Sequence, residues 1–101
     1  MKKGEYVELH MVKNLLSGKE CDDIIYTGEL IEYDKEEESV FIILRSGELE
    51  DLSLDGIYKC SILEEKVRME CTGRIRQRYN GRDGKTLQIE IKNGFYKINL
   101  K

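Results

Sequence analysis

Three arginines stand at every second position late in the chain, Arg74, Arg76 and Arg78 in TGRIRQRY. A guanidinium repeated at that spacing can grip anions, because its planar fork matches phosphate bidentately and its face stacks on flat bases. Upstream, Asp51, Ser53 and Gly56 stand in the pattern DxSxxG within DLSLDG. The other chemistry-bearing residues do not assemble into a site. His10 is the one histidine, and no nucleophile and orienting partner are placed with it. Cys21, Cys60 and Cys71 are odd in number and too widely spaced for a zinc knuckle or a redox CxxC, so they read as reduced, mostly core thiols and no metal is implied. There is no P-loop, dinucleotide fingerprint, GxSxG or HExxH. The residues therefore point to binding and away from catalysis.

The arginines must be held by strands. VRMECTGRIRQRY alternates, with Val67, Met69, Cys71 and Ile75 on one side and Arg68, Arg74, Arg76 and Arg78 on the other, so the three arginines are expected on one outward face. After the turn cluster NGRDG, Tyr79 is expected opposite Lys85, Ile75 opposite Ile89, Arg74 opposite Glu90 and Gly73 opposite Ile91, with a bulge or barrel-closing bend at the glycine. Asn93-Gly94 between LQIEIK and FYKINL predicts a second, two-residue hairpin that pairs Ile91 with Tyr96, Ile89 with Ile98 and Leu87 with Leu100.

Earlier in the chain, a strand is predicted from Tyr6 to Met11, then VKNLLSGKE as a short helical turn or a loop. A second strand, Asp23 to Tyr33, should bulge at Gly28, with Ile24 and Tyr26 pointing inward before it and Ile31 and Tyr33 after it. DKEEES lacks the spaced ligands of a calcium loop and reads as a solvated turn. The nearly all-apolar run Val40 to Leu44 reads as a central strand. Ser46-Gly47 and Asp55-Gly56 are turn signals, the latter predicting a hairpin of Leu54 with Ile57 and Ser53 with Tyr58. Short strands, frequent turns and no proline describe an all-β fold, a small antiparallel barrel of about six to seven strands with at most one short helical turn, in one domain spanning 1–101.

The net charge of -3 hides an asymmetry. Residues 1–50 carry 6 basic and 13 acidic side chains (-7), residues 51–101 carry 11 and 7 (+4). A basic portion can steer an anionic ligand, while the acidic total argues against tight nonspecific binding to duplex nucleic acid. No apolar run approaches a membrane span and no signal peptide follows the first methionine, so the expected compartment is the cytoplasm, with no membrane partner.

The DxSxxG pattern at Asp51, Ser53 and Gly56, together with the RxxxR pattern at Arg74 and Arg78, resembles the signature of PilZ domains, small barrels that bind cyclic di-GMP. That resemblance implies phosphate grips at Arg74 and Arg78 and a ligand-holding turn at Asp51, Ser53 and Gly56, although here the arginine motif follows the turn motif and lies within a strand. The whole run of short strands, ending CTGRIRQRY, NG, NGFYKINL, is similar to the barrel that precedes the PilZ domain in flagellar-brake proteins. This likeness implies a non-enzymatic regulatory module with a protein partner, linked to cyclic di-GMP signalling or motility. The alternative from the residues alone is a small barrel that tracks single-stranded nucleic acid along the Arg74, Arg76, Arg78 face, flanked by Tyr79 and Lys97.

Overall fold

The computed structural model describes residues 2–14 and 24–99, with backbone alone at 13 and 14. Six strands close into an antiparallel barrel: β1 (Tyr6–Asn14), β2 (Ile25–Asp34), β3 (Ser39–Leu44), β4 (Gly56–Leu63), β5 (Val67–Gly81) and β6 (Gly84–Asn99). Their order around the barrel is β1-β2-β3-β6-β5-β4, β4 returning to β1. Among the described residues the only helical element is a single 3-10 turn, Leu49–Asp51. The fold is thus the expected all-β barrel, at the lower end of the expected strand count. Residues 15–20, the part of VKNLLSGKE whose form the sequence leaves open, lie outside the described residues.

Closure leaves one interior, filled by the inward residue of each strand: Val7 and Leu9 from β1, Tyr26 and Leu30 from β2, Val40 and Ile42 from β3, Tyr58 and Ile62 from β4, Cys71 and Ile75 from β5, Leu87 and Ile89 from β6. The β3 run is buried at every position except Phe41, as its composition predicts. In β2 the bulge falls between Leu30 and Glu32 instead of at Gly28, which stays in register with Val7 and Leu44. Tyr26 is buried and Tyr33 packs on the core, but Ile24 is 51% exposed. Ile24 lies just before the first described β1–β2 pair, His10 with Ile25.

The largest departure from the sequence reading concerns Asn93-Gly94. No hairpin forms there. β6 runs on through the pair and its second half lies along the start of β5, with Glu70 opposite Tyr96, Arg68 opposite Ile98 and Val67 opposite Asn99. Leu100 lies outside the described residues. The registers shift between Glu70 and Thr72 and again between Thr72 and Gly73, each time with the surplus residue on β6, so Asn-Gly bends a continuous strand instead of reversing it. Neither residue adopts positive φ; Gly84 does, at 125°, beside the Arg82-Asp83 turn where the chain does reverse. A hairpin at Asn93 would leave the alternating first half of β5 without a partner on that side, whereas the continuous strand pairs both halves.

The NGRDG turn is as expected, and so are Ile75 opposite Ile89, Arg74 opposite Glu90 and Gly73 opposite Ile91. Gly73 is required by close approach, because a Cβ there would run into the carbonyl oxygen of Glu90. Beyond Ile75 the register slips by one, setting Gln77 against Gln88 and Tyr79 against Thr86 instead of Lys85. A bulge at Arg76 causes the slip.

On the outer side of β4 and β5, Glu70 is buried, its carboxylate accepting from the Ser61 hydroxyl at 3.2 Å, an Arg68 guanidinium N–H at 3.3 Å and the Tyr96 hydroxyl at 3.0 Å. Burial pushes its pKa up, but these donors and the nearby Lys59 charge outweigh it and hold the carboxyl below the usual range. A lowered folded-state pKa contributes stability above the unfolded value, lost as pH falls through the folded one. Two outcomes are expected. Ile89, fully buried between Val40 and Ile75, should cost about 2 to 4 kcal/mol in urea unfolding as Ile89→Ala. The stability advantage of the wild type over Glu70→Gln should be complete at neutral pH and disappear below the ordinary carboxylate range; a constant difference from pH 7 to 2 would contradict the ionised Glu70 network.

Candidate functional site

The bulge at Arg76 decides where the arginines go. Arg74, opposite Glu90, and Arg76, in the bulge, face outward; Arg78, after the bulge, stands opposite the core residue Leu87. The expectation of three arginines on one outward face is therefore corrected, because one extra residue in β5 reverses the alternation downstream of it. Arg78 reaches the end of the barrel, where its guanidinium donates to the carbonyl of Leu49 at 3.0 Å and to that of Leu52.

Those carbonyls belong to the segment between β3 and β4, which covers that end of the barrel. Leu52 is fully buried beneath it. Tyr26 donates its hydroxyl to the Asp51 carbonyl at 3.3 Å, the Ser53 N–H donates to the Tyr58 hydroxyl at 2.8 Å, and Lys85 binds the Glu48 carboxylate at 2.7 Å. Asp51 turns its carboxylate back to the Glu48 N–H at 3.3 Å, while the Ser53 hydroxyl accepts from the Asp55 N–H at 3.1 Å. Gly56 closes the turn by donating to the Ser53 carbonyl at 3.3 Å, and a Cβ at Gly56 would press on the buried ring of Tyr58 at 2.8 Å and the Met11 sulfur at 2.9 Å. The polar groups of Asp51, Ser53 and Gly56 are thus engaged in shaping the cover. The predicted hairpin of Leu54 with Ile57 and Ser53 with Tyr58 does not form: β4 begins at Gly56 and pairs with β1 and β5, which frees the preceding residues to fold over the opening.

On the outward face, Glu90 is the hub. Arg76 donates to it through Nε at 2.9 Å and through a second guanidinium nitrogen, and Lys92 donates to its other oxygen. Arg76 also reaches Glu37 in the acidic β2–β3 turn at 3.3 Å. Lys92 first and Arg76 second draw the Glu90 carboxyl down to about 2, and Glu90 in turn raises the Arg76 guanidinium. Among the described residues Arg74 makes no ion pair. Two open depressions meet at this hub. One, of about 330 Å³, is lined by Leu54, Asp55 and Arg74; the other, of about 420 Å³, by Glu36, Glu37 and Glu38, and both share Arg76, Glu90 and Lys92.

The two motifs picked out in the sequence therefore adjoin. Arg78 touches the backbone on either side of Asp51, and Arg74 shares a depression with Asp55. The sequence reading did place Arg74 against Glu90, but it missed Lys92 and Glu37 as members of the cluster, since a charge run in a turn gives no sign of which strand it will face. His10 lies in the β1 ladder between Ile25 and Lys59, and among the described residues no group of three or more His, Cys, Asp and Glu side chains could hold a metal ion. Nor is any described helix long and apolar enough to cross a membrane.

No protein-family model matches the chain, and no curated protein matches it. One solved structure, the solution structure of an N-terminal domain, superposes with a TM-score of 0.66 over 100% of this chain and 86% of that one, at 12% sequence identity. The likeness shows the class of fold, a small antiparallel barrel of six strands.

If Arg78 holds the cover, Arg78→Ala, which leaves two carbonyls without their charged donor, should lower stability by about 2 kcal/mol. Arg74→Ala should change it by less than about 0.5 kcal/mol in the same urea titration. Equal effects would show that the two arginines do not have separate roles.

Proposed function

We propose that this chain is a non-enzymatic regulatory and interaction module, similar in kind to the barrel that precedes the PilZ domain in flagellar-brake proteins, and that it docks a protein partner on the outward β5–β6 face. One observation supports this reading above the others: cations and carboxylates alternate across two shallow, open depressions, with Arg76 and Lys92 both on Glu90 and Arg76 also on Glu37. A surface of mixed sign complements another protein's mixed charges, and such rim charges set orientation and association rate. A polyanion would have to displace Glu90 and Glu37 to reach Arg76.

Cyclic di-GMP is the ligand that the PilZ signature at Arg74, Arg78, Asp51, Ser53 and Gly56 implies. Its capture would require Arg78 to exchange the Leu49 and Leu52 carbonyls for phosphate, at the expense of the cover over Leu52. The ligand-free, partner-binding form of the module needs no such exchange. Single-stranded nucleic acid would meet Arg74 and Arg76 on the outward face without Arg78.

The experiment is a comparison of three ligands. Wild type at micromolar concentration is expected to retain neither cyclic di-GMP nor a single-stranded oligonucleotide. A protein partner captured by immobilised wild type should be lost from the Arg74→Glu, Arg76→Glu double variant, with the thermal midpoint of the barrel kept. Cyclic di-GMP binding abolished by Arg78→Ala would replace this proposal with the nucleotide one. Oligonucleotide binding with a log-log salt slope of roughly -1.4, the value for two phosphate contacts, would replace it with the nucleic-acid one.

A further inference from the structure

Cys60 on β4 and Cys71 on β5 are directly opposite one another in the ladder, and both are fully buried in the barrel core. Directly opposed residues of an antiparallel pair have Cα atoms about 4.5 or 5.5 Å apart, depending on the hydrogen-bonding site. Both separations fall inside the window of roughly 4.4 to 6.8 Å that a disulfide spans. The side chains project to the same face by construction, so no strand has to slide or rotate for the sulfurs to meet. Both are free thiols.

We propose that Cys60 and Cys71 are a redox pair, reduced in this structure and convertible to a cross-strand disulfide that locks β4 to β5. With a peroxide as the oxidant, one thiolate attacks the peroxide oxygen to give a sulfenic acid and release water. The second thiol then displaces the sulfenic oxygen, forming the S–S bond and a second water, so the two electrons leave the thiols and reduce the peroxide. An azo oxidant such as diamide takes up the same two electrons and two protons, becoming the hydrazine.

Two features govern how fast this happens. In the closed barrel the neighbouring Cys71 thiol and burial push the Cys60 thiol up, so little thiolate is present and oxidant has no direct approach. The ladder from β5 to β6 passes from the Glu70–Tyr96 pair to the Thr72–Asn93 pair and skips Cys71, because the β6 bulges fall there. Cys71 therefore has a directly opposed partner, Cys60, on the β4 side and no directly opposed residue on β6. Local opening at this bulge is the least costly route to the thiols. Oxidation should be slow, first order in protein, and limited by opening.

The β6 residues that pass Cys71 are Gly94 and Phe95, and the next register shift, between Thr72 and Gly73, holds Lys92, a member of the Glu90 cluster. The redox pair stands without the docking reading, and its test does not depend on a partner.

The full chain is treated with diamide in native buffer, then denatured, alkylated and digested. The expected result is a Cys60–Cys71 cross-linked peptide, an intact mass lower by two hydrogens, and an unchanged far-ultraviolet spectrum. The linked form should resist unfolding by roughly tenfold or more in the equilibrium constant, because the bond shortens the loop open to the unfolded chain. The link must be absent from Cys60→Ser and Cys71→Ser. It must persist in Cys21→Ser, which removes the third thiol. Recovery of both core cysteines fully alkylated, a link that forms only in urea, or a link from either to Cys21 would overturn the proposal.

Discussion

The β5–β6 ladder is the constraint on which the rest of the barrel depends. β6 is the strand that joins β3 to β5, so its register against β5 fixes the inward set Leu87, Ile89 and Ile91 and, through β3, the positions of Val40 and Ile42. A slip of one residue would send those side chains to solvent. The ladder tolerates irregularity only where it is useful: surplus residues on β6 around Asn93 bend the strand, and a surplus residue on β5 at Arg76 turns the arginines to different faces.

That last bulge divides the molecule's positive charge into two tasks. Arg74 and Arg76 stay outside, where Glu90, Glu37 and Lys92 make a surface of mixed sign. Arg78 goes to the barrel end, where it donates to the Leu52 carbonyl and shares the Leu49 carbonyl with the Leu52 N–H, and charge-assisted donation to a covered carbonyl costs more to lose than an ordinary hydrogen bond gains. An exposed stripe of like charges and a closed barrel end are alternatives for the same side chain, and the bulge selects the second.

Buried polar groups elsewhere follow the same rule. Ser39 and Gln88 are both buried, and the Gln88 amide donates to the Ser39 hydroxyl at 3.1 Å while its oxygen accepts from Gln77 at 2.6 Å. Glu70 is satisfied by three donors from β4, β5 and β6. These contacts tie neighbouring strands on the outside of the barrel, where apolar packing is thin, and leave the interior to aliphatic side chains, two tyrosines and two thiols. The covered end, the mixed-charge face and the opposed thiols are separate consequences of one closed sheet.

The features legible in the residues alone follow from local chemistry. Alternation marked the inward residues of β5 and β6, the apolar run marked β3, and NGRDG with its flanking alternation placed Arg74 against Glu90 and Ile75 against Ile89. Each of these rests on side-chain periodicity or on turn residues within a few positions of one another. Tertiary structure decided the rest. Asn93-Gly94 satisfies the local requirements of a hairpin, yet the alternating start of β5 offers the same residues a full-length partner, and pairing both halves of β5 outweighs a tight turn. The DxSxxG segment likewise has the residues of a turn and became a cover because closing the sheet leaves an open end that Leu52 can fill. Arg78 could be assigned outward by counting, but a single unpaired residue at Arg76 reversed the count. A bulge depends on the curvature that closure imposes between distant strands, and no periodicity within one strand contains that information.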